Sequence, residues 1–176
     1  MQNSPLSPSR PTRVYLRYST PEDAGRFVAA VKASRRLHGA WVKPAATRAD
    51  YRAYLGRMAP PLNHALLVLR REDDALVGAF NIGNVVLGPF RSAYLGYYAF
   101  APLAGRGLMR EGLQLTLRHA FRTLKLHRLE ANIQPDNAAS IALVRGQGFQ
   151  LEGYSPRYLK INGRWRDHER WAILAD

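Results

Sequence analysis

The sequence contains no cysteine. That excludes a disulfide framework, thiol catalysis and a Cys-ligated zinc site, and it makes a reducing cytoplasm the expected location. No apolar run reaches the ~18 residues of a membrane helix. No short apolar block follows a basic start, so a secretory signal is not expected either. Lysine is scarce, with four (Lys32, Lys43, Lys125 and Lys160) against 22 arginines. Acids are scarce too: Asp plus Glu is 13 against 26 for Lys plus Arg, a formal net charge of +13. GC-rich coding explains arginine over lysine but not the deficit of acids. An excess of this size points to an anionic partner, whether nucleic acid, a nucleotide-type cofactor or a ribosomal surface. The five histidines (38, 64, 119, 127 and 168) have no metal-ligand spacing, so no metal is expected.

What remains is an ordinary globular composition. The chain has 176 residues, 47% hydrophobic and 22% charged, which is the size and balance of one domain. Residues 1–12 are rich in Pro and Ser and are expected to form a disordered tail before a single domain at 13–176. Alternation predicts strands over 13–18, 64–69, 75–82, 93–100, 127–134, 149–154 and 165–174. Helical spacing predicts helices from Pro21 to about Arg36, from Thr47 to Met58, from Gly107 to Leu124, and from Asn137 to Gly146. Asn162-Gly163 is a hairpin-turn signal. The fold class is α+β, a mixed, mostly antiparallel sheet of about seven strands flanked by about four helices. Strands 64–100 form a meander. The passage 93–134 is one parallel crossover, and parallel strands that part leave a ligand crevice at their ends.

Three constellations bear on chemistry. Leu103-Ala104-Gly105-Arg106-Gly107-Leu108-Met109 sits between a strand and the longest helix. Glycines there let backbone N–H groups converge, and the helix N-terminus adds partial positive charge. That suits a pyrophosphate, with Arg106 and Arg110 at the rim. Asn132, Asn137 and Ser140 follow the next strand. Asn137 reads as a helix cap, or as a side chain facing the same crevice as the glycine loop. The run from Gly153 to His168 reads as an aromatic hairpin in which Asp167 is structural.

Taken in order, these pieces resemble the GCN5-related N-acetyltransferases. The match lies in Gly105-Arg106-Gly107-Leu108-Met109, the stretch 127–137, Ser140, Gly148-Phe149, Glu152-Gly153-Tyr154, and Asn162-Gly163 with Trp165-Arg166-Asp167-His168. It runs from about Tyr15 to Ala172. Within the family the chain is similar to the branch that acetylates N-terminal residues of ribosomal proteins, of the type acting on the N-terminal alanine of ribosomal protein S5. The resemblance implies acetyl-coenzyme A as donor, with its pyrophosphate on the amides of Gly105, Arg106, Gly107, Leu108, Met109 and Arg110. It implies a pantetheine arm along Tyr98, Ala99 and Phe100, with Asn132 and Asn137 beside it. Ser140, near the sulfur, would protonate the leaving thiolate, and Tyr97 is a second catalytic candidate. The implied partner is a peptide or protein N-terminus, with ribosomal RNA as a sink for surplus charge. Two departures stand out. Ala104 replaces the usual Gln or Arg, and Leu159 replaces a glutamate that serves as base in a relative. Glu130, Tyr97, Tyr98 or a water relay are the remaining bases. Trp41 and Pro44 are candidates for an acceptor pocket. A small-amine acetyltransferase and an RNA-associated protein with vestigial catalysis are the alternatives, and monomer or homodimer is left open.

Overall fold

A computed structural model describes residues 12–39 and 41–175. Apart from Thr12, the expected tail lies outside the described residues. The strands are β1 (Val14–Tyr18), β2 (His64–Arg70), β3 (Leu76–Val86), β4 (Ser92–Ala99), β5 (Arg128–Ile133), β6 (Gln150–Ile161) and β7 (Arg164–Leu174). The helices are α1 (Ala24–Ala33), α2 (Arg35–His38), α3 (Arg48–Arg57), α4 (Leu108–Arg118) and α5 (Ala138–Arg145). One seven-stranded sheet runs in the order β1-β2-β3-β4-β5-β7-β6. Every neighbouring pair is antiparallel except β4 and β5. The meander and the single parallel crossover are both present.

Both faces of the sheet are covered. On one, Leu66, Val68, Phe80 and Leu95 pack with Leu113 of α4 and Val144 of α5. On the other, Leu67, Leu69, Ala79, Tyr98 and Phe100 lie under Phe27, Val28 and Val31 of α1 and Tyr51 and Tyr54 of α3. β2 is therefore buried on both sides, which is why it reads as an unbroken apolar run rather than an alternating one. Gly112 lets α4 lie close on β2: a Cβ there would stand 2.9 Å from both Val68 methyls.

Four elements differ from the sequence expectation; β3 runs past the expected Ile82 to Val86, where Gly83 and Val86 pair with Tyr94 and Ser92 of β4. The first helix begins as a single 3-10 turn, Pro21–Asp23, and breaks at Ser34. The Ser34 hydroxyl donates to Ala30 O (2.7 Å), the back-bond by which serine competes with helix propagation. The long helix ends its regular part at Arg118 and continues as a wider π turn, His119–Thr123. There Leu124 N–H donates to His119 O, five residues back, at 3.0 Å. β6 continues to Ile161, well past the expected Tyr154, because backbone pairing with β7 carries it where its side chains are mostly exposed.

The turn before α1 is fastened by Asp23, whose side chain is 3% exposed. It accepts from Arg17 (2.7 and 2.5 Å), Arg26 (2.8 Å) and Thr20 N–H (2.9 Å). Burial alone would raise this carboxyl. The hydrogen bonds from Arg17, Thr20 and Arg26 outweigh it and hold the group well below the usual carboxylate range. Both arginines are a third or more open to water, which screens the pair. Asp23→Asn is expected to cost about 2–3 kcal/mol, lowering Tm by about 4–12 °C. A carboxyl depressed on folding stabilises fully above its unfolded value of about 3.9, and that contribution fades as pH falls toward the folded value. The Tm gap between wild type and Asp23→Asn should therefore be flat from about pH 8 to 5 and narrow below about pH 4. A gap still undiminished at about pH 3 contradicts this assignment.

Candidate active site

β4 and β5 are paired only at Ser92–Arg128, Ala93–Leu129 and Tyr94–Glu130. β4 stays with β3 as far as Ala99, and β5 stays with β7 as far as Ile133. The two parallel strands therefore part after Tyr94. The gap opens into a cleft of about 580 Å³. Its walls are Tyr97, Tyr98 and Ala99 of β4, the loop from Leu103 into α4, the first turns of α5, and a segment around His38 and Trp41.

The loop fits an anion. Gly105 and Gly107 both have φ of +75°, the left-handed region that favours glycine. Gly107 is the N-cap of α4 and has no side chain to cap with, so the N–H groups of Leu108, Met109 and Arg110 keep no capping partner. These donors and the helix dipole converge at the cleft. Nothing stands within 4 Å of an ideal Cβ at Gly105, so a ligand can approach the backbone closely. Arg13 anchors the loop. It bonds Glu111 through its backbone and side-chain N–H (2.7 Å each) and donates to Arg106 O (3.1 Å).

The β4 edge fits an extended, amide-bearing arm. Phe100 N–H donates to Val77 O of the neighbouring segment (2.8 Å). Alternation then turns the peptide groups of Tyr97 and Ala99 toward the gap. Ala99 O accepts there from His38 Nε2 (2.8 Å). A carbonyl only accepts, so Nε2 carries a proton in this contact.

Ser140 lies in the first turn of α5. Its N–H is held by Asn137 Oδ1 at 3.2 Å, so Asn137 is a cap and a cleft-lining residue at once. The Ser140 hydroxyl is 2.5 Å from the Tyr97 hydroxyl, which also donates to Ser140 O (3.2 Å). Burial raises the Tyr97 phenol far above its ordinary value, against the opposing pull of the Ser140 contact. The pair therefore holds its protons at neutral pH and can give one to a developing anion.

The structure brings Tyr97, Tyr98, Ala99, Gly105, Gly107, Met109, Arg110, Asn137 and Ser140 around this one cleft. Four other cofactor-binding candidates from the sequence are not among its lining side chains. Phe100 and Leu108 are buried in the two apolar layers. Arg106 is exposed. Asn132 stands opposite Arg170 on β7, because Leu129, Ala131 and Ile133 take the core-facing positions of β5. Glu130, a candidate base, is held by Arg128 at 3.0 Å, and Arg128 also binds Glu152. Asp167 is structural, accepting from Tyr154 OH (2.5 Å) and Arg157 N–H (2.7 Å). Trp41 lines the cleft and Pro44 does not. Sequence reasoning missed His38 and Arg13. Neither carries a local signal, because each reaches its partner only through the folded sheet.

The model of the acetyltransferase (GNAT) domain family matches residues 13–150, and the chain belongs to that family. The ribosomal protein uS5-alanine N-acetyltransferase of Escherichia coli is 42% identical over 104 residues, 59% of this chain and 54% of its own length. The probable N-acetyltransferase YjcK of Bacillus subtilis is 36% identical over 107 residues, 61% of this chain and 59% of its own. The chain thus matches less than two thirds of the length of these curated relatives. Mycobacterium smegmatis RimJ in complex with CoA-disulfide has a TM-score of 0.84 at 29% identity, covering 92% of this chain and 82% of that one.

Proposed function

We propose that this chain transfers the acetyl group of acetyl-CoA to the α-amine of a protein N-terminus, with a ribosomal protein as the acceptor and the cytoplasm as the setting. One observation carries the reading: an uncapped helix N-terminus, an unpaired strand edge and a proton-holding Tyr97–Ser140 pair share a single cleft. Family membership and the similarity to the uS5-alanine enzyme support it.

In this reading the amides of Leu108, Met109 and Arg110 hold the pyrophosphate, and Arg110 adds charge. Asn137 and the β4 edge hold the arm. The acceptor nitrogen bonds to the thioester carbon, whose oxygen is polarised by β4 amides near Tyr97 and Ala99. The carbon–sulfur bond breaks, and the thiolate leaves with a proton from Ser140, which Tyr97 backs; the proton shed by the acceptor nitrogen passes to water, and water reprotonates Ser140.

Among the described residues, no carboxylate lines the cleft. An α-amine has a pKa near ~8 and is partly neutral without a strong base, whereas an alkylamine near ~10 needs one. A cleft with Arg110 and no acid also lacks a counter-charge for a polycation. Both points favour a peptide N-terminus over a polyamine. The experiment is a comparison of kcat/KM for an Ala-initiated peptide, spermidine and free alanine. The peptide is expected to lead by about 10²-fold or more, since binding it uses contacts beyond the amine. A lead for spermidine replaces this reading with a small-amine acetyltransferase.

A further inference from the structure

A second groove, of about 540 Å³, lies on the far edge of the sheet from the cleft, between β1 and the C-terminal part of α4. α4 joins the two sites. At 1.5 Å per residue, the loop at Gly107 and the groove at Arg122 are about 20 Å apart.

The groove has one sign of charge. Arg17, Arg71, Arg118 and Arg122 line it, and no Asp or Glu does among the described residues. Arg17 is neutralised by Asp23. Among the described residues Arg71 spends only Nε, on Thr12 O (3.0 Å), and its guanidinium carbon lies 5.7 Å from the centre of the Tyr15 ring. Arg118 and Arg122 are exposed, and neither makes an ion pair or side-chain hydrogen bond among the described residues. Like charges four apart destabilise a helix, yet Arg118 ends α4 and Arg122 lies in the π turn that follows, four residues on.

The groove also has a fixed aromatic face. Tyr18 is 40% exposed, but its hydroxyl is tied to His64 Nδ1 (2.9 Å) and His119 Nε2 (3.2 Å). Burial lowers both histidines, so they tether the ring as neutral groups and add no charge near pH 7. A ring pinned by its hydroxyl and 40% exposed offers a stacking platform. Leu16, Leu66 and Leu115 give the groove an apolar floor.

Guanidinium groups around an aromatic platform match phosphates with planar bases between them. An acidic peptide adding a strand to β1 fits less well, because two of its three free-edge carbonyls are already taken. Thr12 Oγ1 donates to Val14 O (3.1 Å) and Arg17 Nη1 to Tyr18 O (2.8 Å). We propose that this groove binds single-stranded nucleic acid, with phosphates on Arg71, Arg118 and Arg122 and a base on Tyr18. It assigns part of the unpaired positive charge to a surface separate from the cleft, and it holds whatever the acetyl acceptor is.

The test is fluorescence anisotropy of a labelled single-stranded RNA of about 12 nucleotides with the full chain and with Arg118→Gln/Arg122→Gln. The wild type is expected to bind, with log affinity falling as log salt rises. The double variant should lose affinity by about tenfold or more and lower the salt slope by about 1.4, two phosphates at about 0.7 each. Tyr18→Leu should weaken binding with the slope unchanged. Because a variant can fail to fold, wild-type protein is also cross-linked to RNA carrying 4-thiouridine. Cross-links in peptides containing Tyr18 or His119 support the site. Cross-links confined to other surfaces overturn it, as do undiminished RNA binding by the folded double variant, absence of RNA binding by wild type, or preference for an acidic peptide that competes the RNA away.

Discussion

Gly107→Glu is expected to abolish acetyl-CoA binding. Two costs arise. Gly107 sits at φ +75°, and an L side chain in the left-handed region costs roughly 1–2 kcal/mol. The new carboxylate would stand at the uncapped start of α4, beside the donors assigned to the pyrophosphate. Like charges about 4 Å apart at an effective dielectric near 20 repel by about 4 kcal/mol. The backbone cost falls on folding; the repulsion alone weakens binding by about 10³-fold, at about 1.4 kcal/mol per decade. Calorimetric titration measures it. Gly163→Glu is the control. Gly163 has φ +80° in an open hairpin turn with nothing near its Cβ position, so it takes the same backbone cost away from the loop. Its affinity for acetyl-CoA should stay at wild type. Unchanged affinity in folded Gly107→Glu would mean that the pyrophosphate is held elsewhere.

The second large effect belongs to the pair at α5. Ser140→Ala should lower kcat by about 10²-fold, the scale of one general acid, with little change in KM for acetyl-CoA. Tyr97→Phe removes the group 2.5 Å behind it and should also slow the reaction. The double variant should be little worse than the slower single one, because the two hydroxyls act as one donor. The pH profile gives an independent check. Burial holds Tyr97 protonated, so the donor should not titrate in the working range. The rate should rise with pH as the acceptor amine loses its proton, and level above about pH 8. If both single variants run near the wild-type rate, the pair is a structural contact between β4 and α5.

Several features of this architecture are legible locally. Alternation marks β1, β4 and β5. Asn162-Gly163 marks the β6–β7 turn, where both residues adopt positive φ, at 50° and 80°. The junction from Ala99 to Leu108 is readable because glycine chemistry and helix onset coincide there. Other features depend on the folded context. The break at Ser34 comes from a hydroxyl choosing Ala30 O, and the pattern of apolar residues around it does not change. The π turn is hidden because Phe121 and Leu124 continue the apolar stripe of α4. The last part of β6 is solvated, so no alternation announces it. Asn132 shows a subtler gap. Sequence order sets it beside Asn137 and Ser140, but a strand sends successive side chains to opposite faces, and Asn132 falls on the face away from the α4 and α5 layer. His38 is the converse. It is remote in sequence, and the packing of α1 and α2 on the sheet brings it to Ala99.

The most direct test of the account is one incubation. Full-length wild-type protein is mixed with acetyl-CoA and a peptide beginning with alanine and carrying an internal lysine, and the products are read by tandem mass spectrometry. A single acetyl group on the α-amine, with the lysine unmodified, is the predicted result. Acetylation of the lysine side chain alone, or an unmodified peptide under conditions where acetyl-CoA binds, would contradict it.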